Sequence, residues 1–146
     1  MSEKTQPINI LLIDDEKAIL RMFHIYFGMH QHTNLTPSES CREGIEYFLR
    51  EPAKYDAVIT DLNQHPSGVD VIRAVRASTN PIIPVYIVTG GVTGSKRHLL
   101  EQAAADLVGP HRYFVKPLVM KDLCNLVLHE AAEIRNQRYL LDRKPQ

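Results

Sequence analysis

Ile8-Asn9-Ile10-Leu11-Leu12-Ile13-Asp14-Asp15-Glu16 is the stretch on which the fold turns. A half-buried strand would alternate apolar and polar side chains. This run is apolar at every position but Asn9, so it fits a strand covered on both faces, as inside a parallel sheet. Three carboxylic acids follow at once. Beyond them, Ile19, Met22, Phe23, Tyr26 and Phe27 recur at helical spacing, which predicts a helix over Glu16 to His30.

The same alternation continues. A weak strand is expected around Thr33 to Leu35. Thr36-Pro37-Ser38-Glu39 and Ser40-Cys41-Arg42-Glu43 both have capping-box form, so a helix starts near one of them. It runs to about Arg50, burying Ile45, Phe48 and Leu49, and Glu51-Pro52 ends it. Ala57 to Thr60 reads as a strand, Val71, Ile72 and Val75 as a short helix, and Ile82 to Val88 as a strand. Leu99, Leu100, Ala103, Ala104 and Leu107 mark a further helix, Tyr113 to Val115 a last strand, and Leu123, Val127, Ala131 and Ile134 a last helix. Strands alternating with helices give an α/β fold, a parallel sheet with helices on both faces. With right-handed crossovers, five strands favour the doubly wound order 2-1-3-4-5, a flavodoxin-like three-layer sandwich.

Composition narrows the function. The chain has 146 residues, 44% hydrophobic and 23% charged, enough for one domain with its own core. Lys+Arg and Asp+Glu are 17 each, a balance that argues against an electrostatic nucleic-acid binder. Cys41 and Cys124 match no metal or redox spacing and read as buried or free thiols of a reducing compartment. The longest apolar run, Ile82 to Val88, is far short of a membrane span, and residues 1–7 lack the apolar core of a signal peptide. The expectation is a cytoplasmic protein: tail 1–7, domain 8–132, and 133–146 as a helix extension or tail. Val127, Ala131, Ile134, Arg138 and Leu141 continue an apolar-leaning stripe past the expected boundary. They are compatible with a longer helix, acting as a linker or dimer contact, and equally with a frayed end.

In open α/β sheets ligands bind beyond the carboxyl ends of the strands, at the switch point. Those ends carry Asp14, Asp15 and Glu16 after the first strand and Asp61 after the third. Thr89 with Gly90-Gly91 follows the fourth, and Lys116-Pro117 the fifth. In the 2-1-3-4-5 order the first and third strands are neighbours, so Asp14, Asp15 and Asp61 crowd together with Thr89 and Lys116 opposite. Crowded carboxylates protonate or take a cation, and an all-oxygen site with room for water and phosphate suits Mg²⁺. A carboxylate beside Mg²⁺ can attack phosphorus, while the metal, Lys116 and the Thr89 hydroxyl with nearby N–H groups neutralise the phosphoryl oxygens.

With these residues in place, the chain resembles the receiver domain of bacterial response regulators, the CheY-like phosphoacceptor of two-component signalling, from about Ile8 to Ala132. Asp14 and Asp15 match the family's acidic pair, Asp61 its phosphoacceptor, Thr89 its hydroxyl switch and Tyr113 its aromatic switch. Lys116-Pro117 matches its lysine and proline, whose peptide bond is usually cis in the family. Asn63 matches the position whose backbone carbonyl helps bind the metal. The resemblance implies a phosphoprotein that takes its phosphoryl group from a histidine kinase or a histidine phosphotransfer protein in a phosphorelay, with Mg²⁺. Asp15 is expected as the direct ligand, with Asp14 acting through water. The phosphoryl group would favour a second packing of Thr89 and Tyr113, with output or homodimer contacts on the face of the fourth helix, fifth strand and fifth helix. No nucleic acid or membrane is expected as a partner. Such a domain is no enzyme beyond its own phosphorylation and dephosphorylation.

The resemblance has departures. The family usually has proline four residues after the acceptor and glycine eight after it; here Pro66 is five after and Gly68 seven after. The loop should be rearranged and one residue shorter. Asn63, with Gly91 two after Thr89, predicts a fairly open phosphoryl group. A pseudo-receiver that is never phosphorylated is opposed by the complete set of Asp61, Thr89 and Lys116. A phosphatase of the haloacid dehalogenase type would need D-x-D-x-T after the first strand, where Asp14-Asp15-Glu16-Lys17-Ala18 stands. His24, His30 and His32 suit no common metal spacing, and Gly90 to Lys96 lacks the spacer of a phosphate loop.

Overall fold

The computed structural model describes residues 6–30, 32–90 and 97–142. Five strands and five helices alternate: β1 (Ile8–Ile13), α1 (Lys17–Gly28), β2 (Thr33–Ser38), α2 (Cys41–Arg50), β3 (Ala57–Thr60), α3 (Gly68–Arg76), β4 (Val85–Thr89), α4 (Arg97–Val108), β5 (Tyr113–Val115) and α5 (Met120–Asp142). All strand pairs are parallel, in the expected order β2-β1-β3-β4-β5.

Period-two geometry explains why β1 is apolar throughout. Leu11 and Ile13 point to one face, where they join Val58, Val85, Ile87 and the inner sides of α2, α3 and α4. Ile10 and Leu12 point to the other, joining Ile59, Tyr86, Val88 and the inner sides of α1 and α5. Both faces are therefore core, which directs chemistry to the ends of the strands.

Several elements differ from expectation. Thr36, Pro37 and Ser38 of the first capping-box sequence are part of β2, which is longer than Thr33 to Leu35; at a sheet edge the N–H that Pro37 lacks is not needed by a second neighbour. The second is the cap in use, with Ser40 Oγ accepting the Glu43 N–H at 3.1 Å. Helix α2 then packs so close to the sheet that a Cβ on Gly44 would stand 2.3 Å from Ile13 Cδ1. That approach rotates Cys41, Gly44 and Phe48 inward and leaves Leu49 exposed. Strand β4 begins at Val85 rather than Ile82, after Pro84, and Ile82 is exposed. In α4 the buried row is Leu100, Ala104 and Val108, so the adjacent Leu99 and Leu107 face solvent.

The last helix passes the expected boundary at 132 and continues to Asp142. Arginines anchor this extension beneath the sheet. Arg135 and Arg138 pair with the buried carboxylate of Asp56, Arg138 at 2.8 Å. Arg138 also donates to Asn80 Oδ1 at 3.1 Å, and Arg135 donates to the Pro7 carbonyl at 2.6 Å. Residues 143–146 lie outside the described ones.

Candidate functional site

The carboxyl ends of β1 and β3 are in register, Ile13 beside Thr60, so the next residues on each strand are neighbours. The Asp61 N–H donates to the Ile13 carbonyl at 2.8 Å and the Asp14 N–H to the Ser38 carbonyl at 3.0 Å, which fixes both aspartates at the sheet end. Both are buried. Asp61 Oδ1 accepts the Leu62 N–H at 2.8 Å. The Asp61 carbonyl accepts the Thr60 hydroxyl at 2.9 Å and faces the Cys41 thiol. Behind it, a Cβ on Gly68 would stand 2.5 Å from that carbonyl oxygen, so α3 starts against the backbone of Asp61 only because residue 68 is glycine. The loop between them folds back on itself. The Gly68 N–H reaches the Leu62 carbonyl at 3.1 Å, and Ser67 with Asp70 forms the capping box of α3. Gln64 ties the loop to α2 by accepting the Cys41 N–H at 2.7 Å. The His65–Pro66 peptide is cis.

Lys116 crosses to this corner from β5. Its ammonium lies 2.7 Å from Glu16 Oε1 and 3.2 Å from Asp14 Oδ2. Asp14 Oδ1 accepts the Glu16 N–H at 2.8 Å. Burial pushes the Asp14 carboxyl up from 3.8 to about 6, with the Asp61 charge adding to the rise and the Glu16 N–H and Lys116 opposing it. Burial disfavours the Lys116 charge, but the hydrogen bond to Glu16 and the charges of Asp14 and Asp61 outweigh it and hold the pKa above its ordinary value.

A cavity of about 250 Å³ opens over these groups, lined by Asp15, Glu16, Asp61, Asn63, Gly90 and Lys116. Among the described residues, four carboxyl groups (Asp14, Asp15, Glu16 and Asp61) meet one ammonium, that of Lys116, in and around it. Carboxylate oxygens of Asp14, Asp15 and Glu16 come within 4.8 Å of one another. An all-oxygen donor set with excess negative charge fits a hard divalent cation such as Mg²⁺. A larger hollow of about 560 Å³ lies beside α1, where basic Lys17, Arg21 and His24 share the walls with acidic Glu39 and Glu43.

Neither the protein-family models nor the curated proteins include a match to the chain. Solved structures do match. The response regulator receiver domain protein of Clostridium thermocellum is 27% identical, with a TM-score of 0.70 over 92% of this chain and 98% of that one. The chain has the receiver-domain fold. The signal receiver domain of an HD domain-containing protein from Pseudomonas fluorescens Pf-5 is 20% identical, with a TM-score of 0.73 over 99% of this chain and 98% of that one. The response regulator receiver protein of Pseudomonas putida is 24% identical, with a TM-score of 0.67 over 88% of this chain and all of that one.

Within this receiver fold, Asp14, Asp15, Asp61, Asn63 and Lys116 come together at one corner. The Lys116–Pro117 peptide is cis. Thr89 is buried at the end of β4, and its carbonyl accepts the Lys116 N–H at 2.8 Å. Tyr113 is half-buried, packed against the core on the α2, α3 and α4 face of the sheet, and is not among the residues lining the cavity. Gly91, and the glycine-rich run onward to Lys96, lie outside the described residues. The sequence assigns no role to Glu16, which pairs with Lys116 across the sheet end, or to Gln64, which anchors the loop after Asp61. The signal for Glu16 was its place directly after the acid pair, at the N-cap of α1.

Proposed function

We propose that this chain is a phosphoacceptor signalling domain whose acceptor is Asp61 and whose donor is a phosphohistidine on a histidine kinase or phosphotransfer protein. The observation that carries the reading is the placement of Asp61: buried in its backbone setting, yet lining an acid-rich cavity that also presents Lys116. Its Oδ1 is committed to the Leu62 N–H, so Oδ2 is the nucleophile. Oδ2 forms the new P–O bond as the P–N bond to the donor imidazole breaks, and that nitrogen keeps the electron pair. Mg²⁺ held by Asp15, Asp61 and the Asn63 carbonyl, with Asp14 behind through water, would neutralise a phosphoryl oxygen. Lys116 serves a second oxygen and the Thr89 hydroxyl a third.

A phosphoryl group on Asp61 brings strong acceptor oxygens and added charge to the end of β4. Thr89 turns toward it, and Tyr113 repacks into the space behind. The output face is then α4, β5 and α5, where Leu99, Leu107, Val115 and Val119 are exposed. The phosphoryl group needs to favour the second packing by only a few kcal/mol. The test is labelling by acetyl phosphate or a phosphohistidine donor with Mg²⁺. Wild type should label once, and Asp61→Asn should be folded and unlabelled. A folded Asp61→Asn that still labels overturns the assignment.

A further inference from the structure

The Lys116 side chain runs past Gly90 to the acids that follow β1, and its two ion pairs among the described residues go to Glu16 and Asp14, not to Asp61. The shorter is the one to Glu16, at 2.7 Å. Glu16 occupies the N-cap of α1 yet makes no side-chain cap hydrogen bond, although an acceptor there is ordinarily used to satisfy a free N–H of the first turn. Its carboxylate is spent on Lys116 instead, while its own N–H is held by Asp14 Oδ1.

The two carboxylates that hold Lys116 differ in burial. Asp14 has a side chain 3% exposed and stays beside the cavity floor whatever Lys116 does. The Glu16 side chain is 56% exposed, so water can replace Lys116 as its partner when the ammonium leaves. Building on the phosphoacceptor reading, we infer that Glu16 is a positioning residue that holds Lys116 off Asp61 in the unphosphorylated protein. A phosphoryl group must win the ammonium from Glu16, which lowers the affinity of the site for it. Asp14 keeps Lys116 within reach in both states, and Glu16 sets the threshold.

The experiment is a double-mutant cycle on the full chain: wild type, Glu16→Gln, Lys116→Ala and the double variant. Affinity for beryllofluoride at saturating Mg²⁺ is measured by NMR titration, with Mg²⁺ affinity alone measured beside it. A half-exposed ion pair is worth little, so Glu16→Gln should bind beryllofluoride about two- to fivefold more tightly. The gain should vanish in the Lys116→Ala background, with Mg²⁺ raised to saturation for each variant because loss of the Glu16 charge also weakens the attraction for the cation. In the unliganded protein, hydrogen exchange at the Lys116 ammonium should speed up in Glu16→Gln. Unchanged or weaker beryllofluoride binding by Glu16→Gln overturns the inference, as does an equal gain in both backgrounds. If no variant, wild type included, binds beryllofluoride, the phosphoacceptor reading itself fails and the inference falls with it. If wild type binds it and Glu16→Gln gains nothing, only the inference fails.

Discussion

The two ends of the sheet both bring buried aspartate to distant cations, and they do it with opposite balance. At the carboxyl end, among the described residues, Asp14, Asp15, Glu16 and Asp61 gather about one ammonium, that of Lys116. At the amino end, the single carboxylate of Asp56 takes two guanidinium groups, Arg135 and Arg138, and the Asn9 N–H at 2.8 Å. The first end is left wanting a cation and opens into a cavity. The second is saturated, and it clamps the end of α5 to the body of the fold. Burial of charge is thus common to both ends, and the sign of what is left over separates a site from a strut.

The largest expected effect lies at the strut. Asp56→Ala strands two arginines and an N–H beside the sheet, which should cost about 3–4 kcal/mol in urea unfolding. Asp61→Asn removes a charge from a crowded acid corner and should be neutral or stabilising in the same assay. Equal losses from both would erase the contrast.

Next in size is a pH effect confined to the carboxyl end. In metal-free buffer burial lifts the Asp14 carboxyl of the folded protein to about 6 from 3.8. Between about pH 4 and 6 the folded state binds more protons, so the contribution of this group makes stability fall as pH rises. The full span corresponds to on the order of 3 kcal/mol. The difference between wild type and Asp14→Asn in unfolding midpoints across that range should trace this fall, and Mg²⁺ should flatten it. A pH-independent difference would show that burial does not govern Asp14.

Mg²⁺ itself should stabilise the fold by about 1.4 kcal/mol at ten times its Kd, and Asp15→Ala should remove that gain. A melting temperature unmoved by millimolar Mg²⁺ would count against the excess charge at this end. The smallest effect serves as a control. Lys17 and Glu39 pair at 3.7 Å with side chains 77% and 62% exposed, and Lys17→Gln should change stability by less than about 0.5 kcal/mol.

The acids and the lysine were legible in the sequence because each directly follows an apolar run, and a parallel sheet gathers its carboxyl ends on one side. Asp61 and Lys116 needed only the strand order to be brought together. Glu16 and Asp56 were not legible in their roles, because their partners lie 100 and 79 or 82 residues away and depend on how far a lysine or arginine reaches. The start of α2 was ambiguous because two capping-box sequences follow one another, and only pairing with β1 draws the first into a strand. Which face of α4 is buried was open in the sequence because neighbouring i, i+4 rows are both apolar; the packing selects Leu100, Ala104 and Val108 and leaves Leu99 and Leu107 exposed.

The most direct test of the central claim is chemical. An acyl phosphate on aspartate is reduced by borohydride to homoserine, a permanent mark that peptide mass spectrometry can locate. After acetyl phosphate and Mg²⁺, the mark should appear at Asp61 and at neither Asp14 nor Asp56. A mark at Asp14, or none at Asp61 in a protein that has taken up phosphoryl groups, would contradict the account.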